Sequence, residues 1–135
     1  MATTVLDDLG AYLAASGCGT VGTTIFLGMG LPETPAACLA LKEYGGVAPD
    51  YTLPAMAGIA TESPRVQVIS RHTTYALARA KAESAYSALA KVANQTLTAT
   101  RYLRIEPLQT PGTPVTDTNG RVIITFNVEC QKVPS

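Results

Sequence analysis

The tightest constraint in this chain is an alternation that runs from Arg121 to Gln131. Val122, Ile124, Phe126, Val128 and Cys130 fill one set of alternate positions, and Ile123, Thr125, Asn127, Glu129 and Gln131 fill the other. Successive side chains of a strand point to opposite faces, so this segment predicts a β-strand with one apolar face and one nearly polar face. A strand of that kind belongs in an antiparallel sheet covered on one side. The Asn119-Gly120 pair just before it marks a turn.

Two helices are available to cover such a sheet. Leu6, Leu9 and Leu13 recur at helical spacing, with Val5 and Tyr12 beside them, and predict a helix over about residues 4–16. Thr4 and Asp7 are spaced as a capping box, Asp7 and Asp8 complement the positive end of the helix, and Gly17 and Gly19 stop it. A second helix is predicted from Thr73 or Thr74 to about Ala93. Arg79, Glu83, Ser87 and Lys91 form its polar stripe, while Leu77, Ala78, Ala85, Leu89 and Val92 lie opposite. Lys81 falls near the apolar side, so its ammonium must snorkel out or meet a partner.

Four further strands are expected. They are Thr23–Leu27, the apolar run Ala37–Tyr44 placed centrally and ended by Gly45-Gly46, Arg65–Arg71, and Thr100–Glu106 ended by Pro107. The residues from Pro107 to the Asn119-Gly120 turn read as a linker rich in Thr and Pro. The fold class is therefore α+β, a four- to five-stranded mostly antiparallel sheet with two helices packed on one face. The 135 residues suit a single domain.

Residues 45–64 form a long connection that carries Val47, Tyr51, Leu53, Met56 and Ile59 among its prolines and glycines. A long loop with its own apolar side chains is unusual in a compact domain, and disordered segments are depleted in such residues. A protruding arm that packs on a neighbour is the expectation, and a loop folded back over its own core is the alternative. Charged residues make up only 15% of the chain, against roughly 25% in ordinary globular domains, which leaves weakly polar surface for partners to cover.

The net charge is zero, which does not indicate a general polyanion binder. The charges are nonetheless segregated. Residues 1–64 hold one lysine against six carboxylates, a balance of −5, and residues 65–104 hold seven cations against Glu83, a balance of +6. Local pairing across the fold is one account. Patches of opposite sign that meet between copies of the chain are the other.

Motifs for chemistry are sparse. Gly17-x-Gly19-x-x-Gly22 matches the dinucleotide fingerprint, but a helix precedes it and a strand follows, the reverse of the order that aims a helix N-terminus at a pyrophosphate. His72 stands beside Thr73 ahead of a helix, with no GxSxG nucleophile elbow in the chain. Cys18, Cys38 and Cys130 lack metal-binding or disulfide spacing and read as small buried hydrophobes. Asn94-Gln95-Thr96 fits the glycosylation acceptor pattern without a secretory signal to support it. Tyr102 between Arg101 and Arg104 is a weak version of a base-stacking platform. No catalytic, cofactor-binding or metal-binding residues are assigned, and no enzyme activity is expected. The N-terminus is acidic and no apolar run reaches about 18 residues, so synthesis in a reducing cytoplasm, without membrane insertion, is the expectation.

The runs GTVGTTIFLGMGLPETPAACLALKEYGG, PRVQVISRHTTYALARAKAESAYSAL, TRYLRIEPLQTP and NGRVIITFNVECQK resemble the minor capsid or tail-terminator proteins of long-tailed bacteriophages. The resemblance spans most of the chain and is structural rather than chemical. It implies a virion protein made in the bacterial host cytoplasm that forms a ring, usually a hexamer, at the head–tail junction or neck. Such a ring ends tail-tube growth and docks the tube to the capsid connector or stopper, with genomic DNA passing through the lumen. Another neck component, a stopper or connector, is the alternative, and a small ligand- or nucleic-acid-binding module is a more remote one. The implied partners are further copies of the chain, the tail-tube protein and the connector or stopper. The candidate subunit-interface residues are Glu43, Tyr44, Val47, Asp50, Tyr51, Leu53, Met56, Arg71, Arg101 and Arg104. Arg71, Arg101 or Arg104 is expected to pair across the ring with Asp50, Glu43 or Glu62.

Overall fold

The computed structural model describes residues 4–28, 31–33, 35–50, 61–98 and 100–133. Helix α1 (Val5–Ala15) starts where its cap predicts. The Thr4 hydroxyl accepts from the Asp7 N–H at 3.1 Å, and Asp7 Oδ2 accepts from the Thr4 N–H at 3.3 Å, so two otherwise unpaired amides are satisfied reciprocally. Asp8 also lies in the first turn, as expected, and is fully buried there.

Strand β1 (Ile25–Leu27) is short because Thr20 holds the preceding residues in a turn, its carbonyl accepting from the amides of Thr23, Thr24 and Ile25. It runs parallel to β2 (Cys38–Asp50), pairing Ile25 with Leu39 and Leu27 with Leu41. Gly10 on α1 makes the crossing close. A Cβ there would stand 2.9 Å from a Leu27 methyl, inside contact distance.

β2 does not end at Gly45-Gly46 as expected. It continues to Asp50 and pairs antiparallel with β3 (Thr61–His72) as far as Asp50 opposite Thr61. Two features allow this. The register shifts by one residue between Glu43 and Gly45, which leaves Tyr44 as a bulge, and Gly45 takes φ +135°, a backbone state that side-chain-bearing residues rarely adopt. Residues 45–50 and 61–64, expected within a connection, are therefore strand. Residues 51–60 lie outside the described part.

Helix α2 (Tyr75–Ala90) is capped by Thr74, whose hydroxyl accepts from the Leu77 N–H. It buries Ala78, Ala82, Ala85, Ala88 and Leu89 against β3, β5 and β7. Leu77, expected on that face, is 47% exposed in the first turn. Lys81 meets a partner: its ammonium lies 3.5 Å from the Cys18 carbonyl.

β4 (Ala93–Leu97) and β5 (Thr100–Pro107) form a hairpin, β6 (Gly112–Thr116) follows, and β7 (Val122–Lys132) closes the fold. The sheet has seven strands in the order β1-β2-β3-β7-β5-β4, with β6 also on β7. β5 takes the Val128–Lys132 end of one β7 edge and β6 takes the Val122–Thr125 end. The architecture is α+β with two helices, as expected, but the strand count is higher and one pair is parallel. The two strands missed, β4 (ANQTL) and β6 (GTPVT), are polar and short, so neither shows an apolar alternation.

The core sits under the helices. Leu39, Leu41, Val66, Val68, Tyr102, Phe126, Val128 and Cys130 from the sheet meet Leu6, Leu9, Leu13, Ala85 and Leu89. Tyr86 closes over Phe126 edge to face, with ring centroids 5.6 Å apart at 77°. α1 contacts β1, β2 and β4, which stand at opposite ends of the strand order. The sheet therefore curls around α1.

Candidate functional site

The described residues hold no group of three or more His, Cys, Asp or Glu side chains arranged to bind a metal ion. His72 lies at the rim of an open depression of about 280 Å³ shared with Cys18, Leu77, Lys81 and Ser84. Its Nδ1 accepts from the Thr73 amide at 2.8 Å, so the ring continues the turn ahead of α2. The glycine fingerprint is a turn: Gly17 and Gly22 have φ +86° and +89°, and β1 follows them. Cys18, Cys38 and Cys130 are all free and buried. Burial pushes the Cys130 thiol up to about 12, with Lys132 opposing it less strongly.

Ion pairs cancel part of the charge segregation seen along the chain. Arg65 meets Glu129 at 3.6 Å, Arg79 meets Glu83 at 2.9 Å, Arg104 meets Glu106 at 2.8 Å, Arg121 meets Asp117 at 2.8 Å and Lys132 meets Glu62 at 3.2 Å. The last pair belongs to a buried polar cluster at one end of the helix-covered face, where Tyr102 reaches Asp8. The open face of the sheet carries Arg65, Gln67, Arg104, Glu106, Asn127, Glu129 and Gln131.

These contacts sort the candidate interface residues. Arg71 is buried on its own chain, where its guanidinium donates to the carbonyls of Pro32, Pro35 and Ala36. Arg104 is tied to Glu106, and Glu62 to Lys132. Glu43 and Tyr44 are exposed on β2 and make no ion pair or side-chain hydrogen bond with a described residue. Arg101 is exposed on β5 and donates to the Asn94 side chain. The backbones of Val47 and Asp50 continue β2, and Tyr51, Leu53 and Met56 lie outside the described residues.

The exposed hydrophobic side chains are Val21, Tyr44, Tyr75, Leu77, Leu108, Val115 and Val133 among the described residues. They are distributed over several elements, with Tyr44 on β2, Tyr75 and Leu77 on α2, and Val115 on β6. No described helix is long and apolar enough to cross a membrane.

The feature that sequence reasoning missed is an unpaired strand edge. β1 covers β2 only from Leu39 to Leu41, and no described strand lies beside β2 on that side from Lys42 onward. At the other end of the sheet, β4 pairs with β5 alone. The signal was present in part: the apolar run was read to stop at its glycines, and that hid the edge beyond them.

A family model for bacteriophage tail terminator proteins matches residues 12–134. Among solved structures, a chain from the virion of a native gene transfer agent particle superposes with a TM-score of 0.65 at 16% identity, over 98% of this chain and 100% of that one. At that identity the likeness is one of fold. No curated protein matches the sequence.

Proposed function

Because this chain belongs to the bacteriophage tail terminator family, we propose that it acts as a ring at the head–tail junction, where it ends the tail tube and docks it to the capsid connector or stopper. The family match over nearly the whole chain carries this reading. Copies close into a ring of about six through a heterologous interface, in which one patch meets a different patch on the neighbour. DNA passes through the lumen without being read. The work is done by surfaces, and no bond is made or broken.

Two properties of the fold support the reading. The sheet ends in β4 on one side and, on the other, in the short β1, beyond which β2 has no described neighbour from Lys42 onward; two different edges suit head-to-tail contact. Glu43, Tyr44 and Arg101 present exposed side chains near those ends. In this reading the arm expected at about 45–64, with Val47, Asp50, Tyr51, Leu53 and Met56, is the part assigned to the neighbouring subunit or layer. Arg71 and Arg104 contribute by shaping the segments that carry the contact.

The test is to measure the mass of the purified protein by light scattering and to image it by negative stain, alone and with tail tubes. The expected result is a closed ring several times the 14.1 kDa chain, seated at tube ends. A monomer at every concentration, with tubes whose ends stay bare, would end this reading. Rings that bind portal or connector protein but ignore tube ends would assign the chain to another layer of the neck.

A further inference from the structure

We infer that the edge of β2 at Lys42–Gly45, which has no neighbouring strand among the described residues, receives strand β4 of a second copy of this chain, so that neighbouring subunits share one continuous sheet. This rests on the ring reading above and specifies the contact that builds the ring.

Backbone direction is the first support. The Leu39 amide donates to Thr24 and the Leu41 carbonyl accepts from Gly28, so both groups point toward the β1 side. Strand groups alternate with a period of two, so the Glu43 N–H and C=O point the same way, past the end of β1. Among the described residues these two groups have no strand partner, and unpaired backbone groups on a strand edge are a template for another strand.

β4 is the element suited to fill it. It ends the strand order, and Ala93, Asn94, Gln95 and Thr96 are all exposed. It contains neither proline nor a charged residue, the devices by which proteins block an edge. Of the other strands with an open side among the described residues, β6 carries Pro114 and β1 is only three residues long.

Charge favours the same partner. Among the candidates for a cross-ring ion pair, Arg71, Arg104 and Glu62 are engaged within their own chain. Glu43, on the β2 edge, has no ion pair with a described residue. Lys91, which caps α2 just before β4, and Arg101, opposite Thr96, are both exposed and have none either. Tyr44, 46% exposed beside Glu43, adds the kind of aromatic contact that interfaces favour. Because the two edges differ, each copy offers one and takes the other, which closes a ring rather than a two-fold dimer.

The experiment mixes single-cysteine variants. Glu43→Cys is combined in turn with Ala93→Cys, Gln95→Cys and Thr96→Cys under mild oxidation. The native cysteines are buried, and the wild-type protein serves as the control. At least one mixture is expected to give a disulfide-linked dimer, while no variant cross-links alone. A second arm reverses charge. Glu43→Arg is expected to lower the ring fraction at least tenfold at low salt, and Arg101→Glu in the same chain is expected to restore it. Rings that form normally yet give no cross-link in any mixture, or a cross-link in Glu43→Cys alone, would overturn this inference and leave the ring reading standing. A wild-type protein that stays monomeric would overturn both.

Discussion

The phenol of Tyr102 on β5 donates a 2.7 Å hydrogen bond to Oδ2 of Asp8 on α1, and both side chains are completely buried. The bond ties the first helix to a strand 94 positions later. Burial is the main cause that drives the phenol's pKa far above its ordinary value, with the bond to Asp8 next. Tyr102→Phe removes one hydrogen bond from a buried carboxylate. The expected cost is about 2 kcal/mol, which lowers the melting temperature on the order of 5–8 °C. Thermal denaturation checks this, and a shift under about 1 °C would show that the bond contributes little.

Arg71 pins the segment that follows β1. Its guanidinium reaches the Pro35 carbonyl at 2.8 Å and the Ala36 carbonyl at 3.2 Å, as well as the Pro32 carbonyl. Arg71→Met keeps much of the aliphatic bulk but leaves those carbonyls without their donor. A loss of about 2–3 kcal/mol is expected in urea denaturation. Limited proteolysis should find faster cleavage between residues 31 and 36 in the variant, and an unchanged digestion pattern would refute the pinning role.

The turn before β7 carries an acid-sensitive contact. Burial alone would raise the pKa of Asp117, but bonds from the Arg121 amide and guanidinium and from the Asn119 amide outweigh it, so the carboxyl titrates below its ordinary 3.8. A depressed pKa stabilises the fold above the unfolded value, and that contribution is lost as pH falls through the folded value. Asp117→Asn should therefore melt below wild type at neutral pH, with the gap narrowing once pH drops below 3.8. Melting curves measured down the acid range decide it. A gap that stays constant with pH would mean the carboxylate charge plays no part.

Cys130 gives the opposite limb. Its thiol is held up to about 12 from an ordinary 9.0, chiefly by burial. A raised pKa on a group that is neutral when protonated gives stability that is intact below 9.0 and lost as pH climbs toward about 12. Chemical denaturation midpoints should fall across that window. At neutral pH none of the three buried thiols should react with a thiol reagent in the native protein, and all three should react after unfolding. Rapid reaction of one native thiol would show that its site opens.

Much of the fold was legible where a side-chain pattern reports directly on burial. The β7 alternation reappears as a strict buried–half-buried sequence from Ile124 to Lys132, and the Thr4–Asp7 spacing reappears as a formed capping box. Lys132 shows the limit of that logic. It continues the buried set because Glu62 lies opposite it on β3, a partner that chain order does not reveal. Asp8 was expected only to complement the helix end; its bond from Tyr102 was illegible for the same reason, since that residue lies far along the chain. Leu77 failed in the other direction: it shares the side of α2 that borders an open depression with Lys81 and Ser84, while Ala78 in the same turn is fully buried.

What the sequence alone determined were the local elements whose energetics are set within a few residues: two capped helices, the apolar faces of β3 and β7, the turn at Asn119-Gly120, and the low charge that leaves surface for partners. Tertiary structure alone decided the number and order of strands, which arginines are spent inside the chain, and which strand edges stay open. Those outcomes depend on pairings between distant segments, where a backbone N–H has the same chemistry in every residue and carries no mark in the amino-acid code of what it will face.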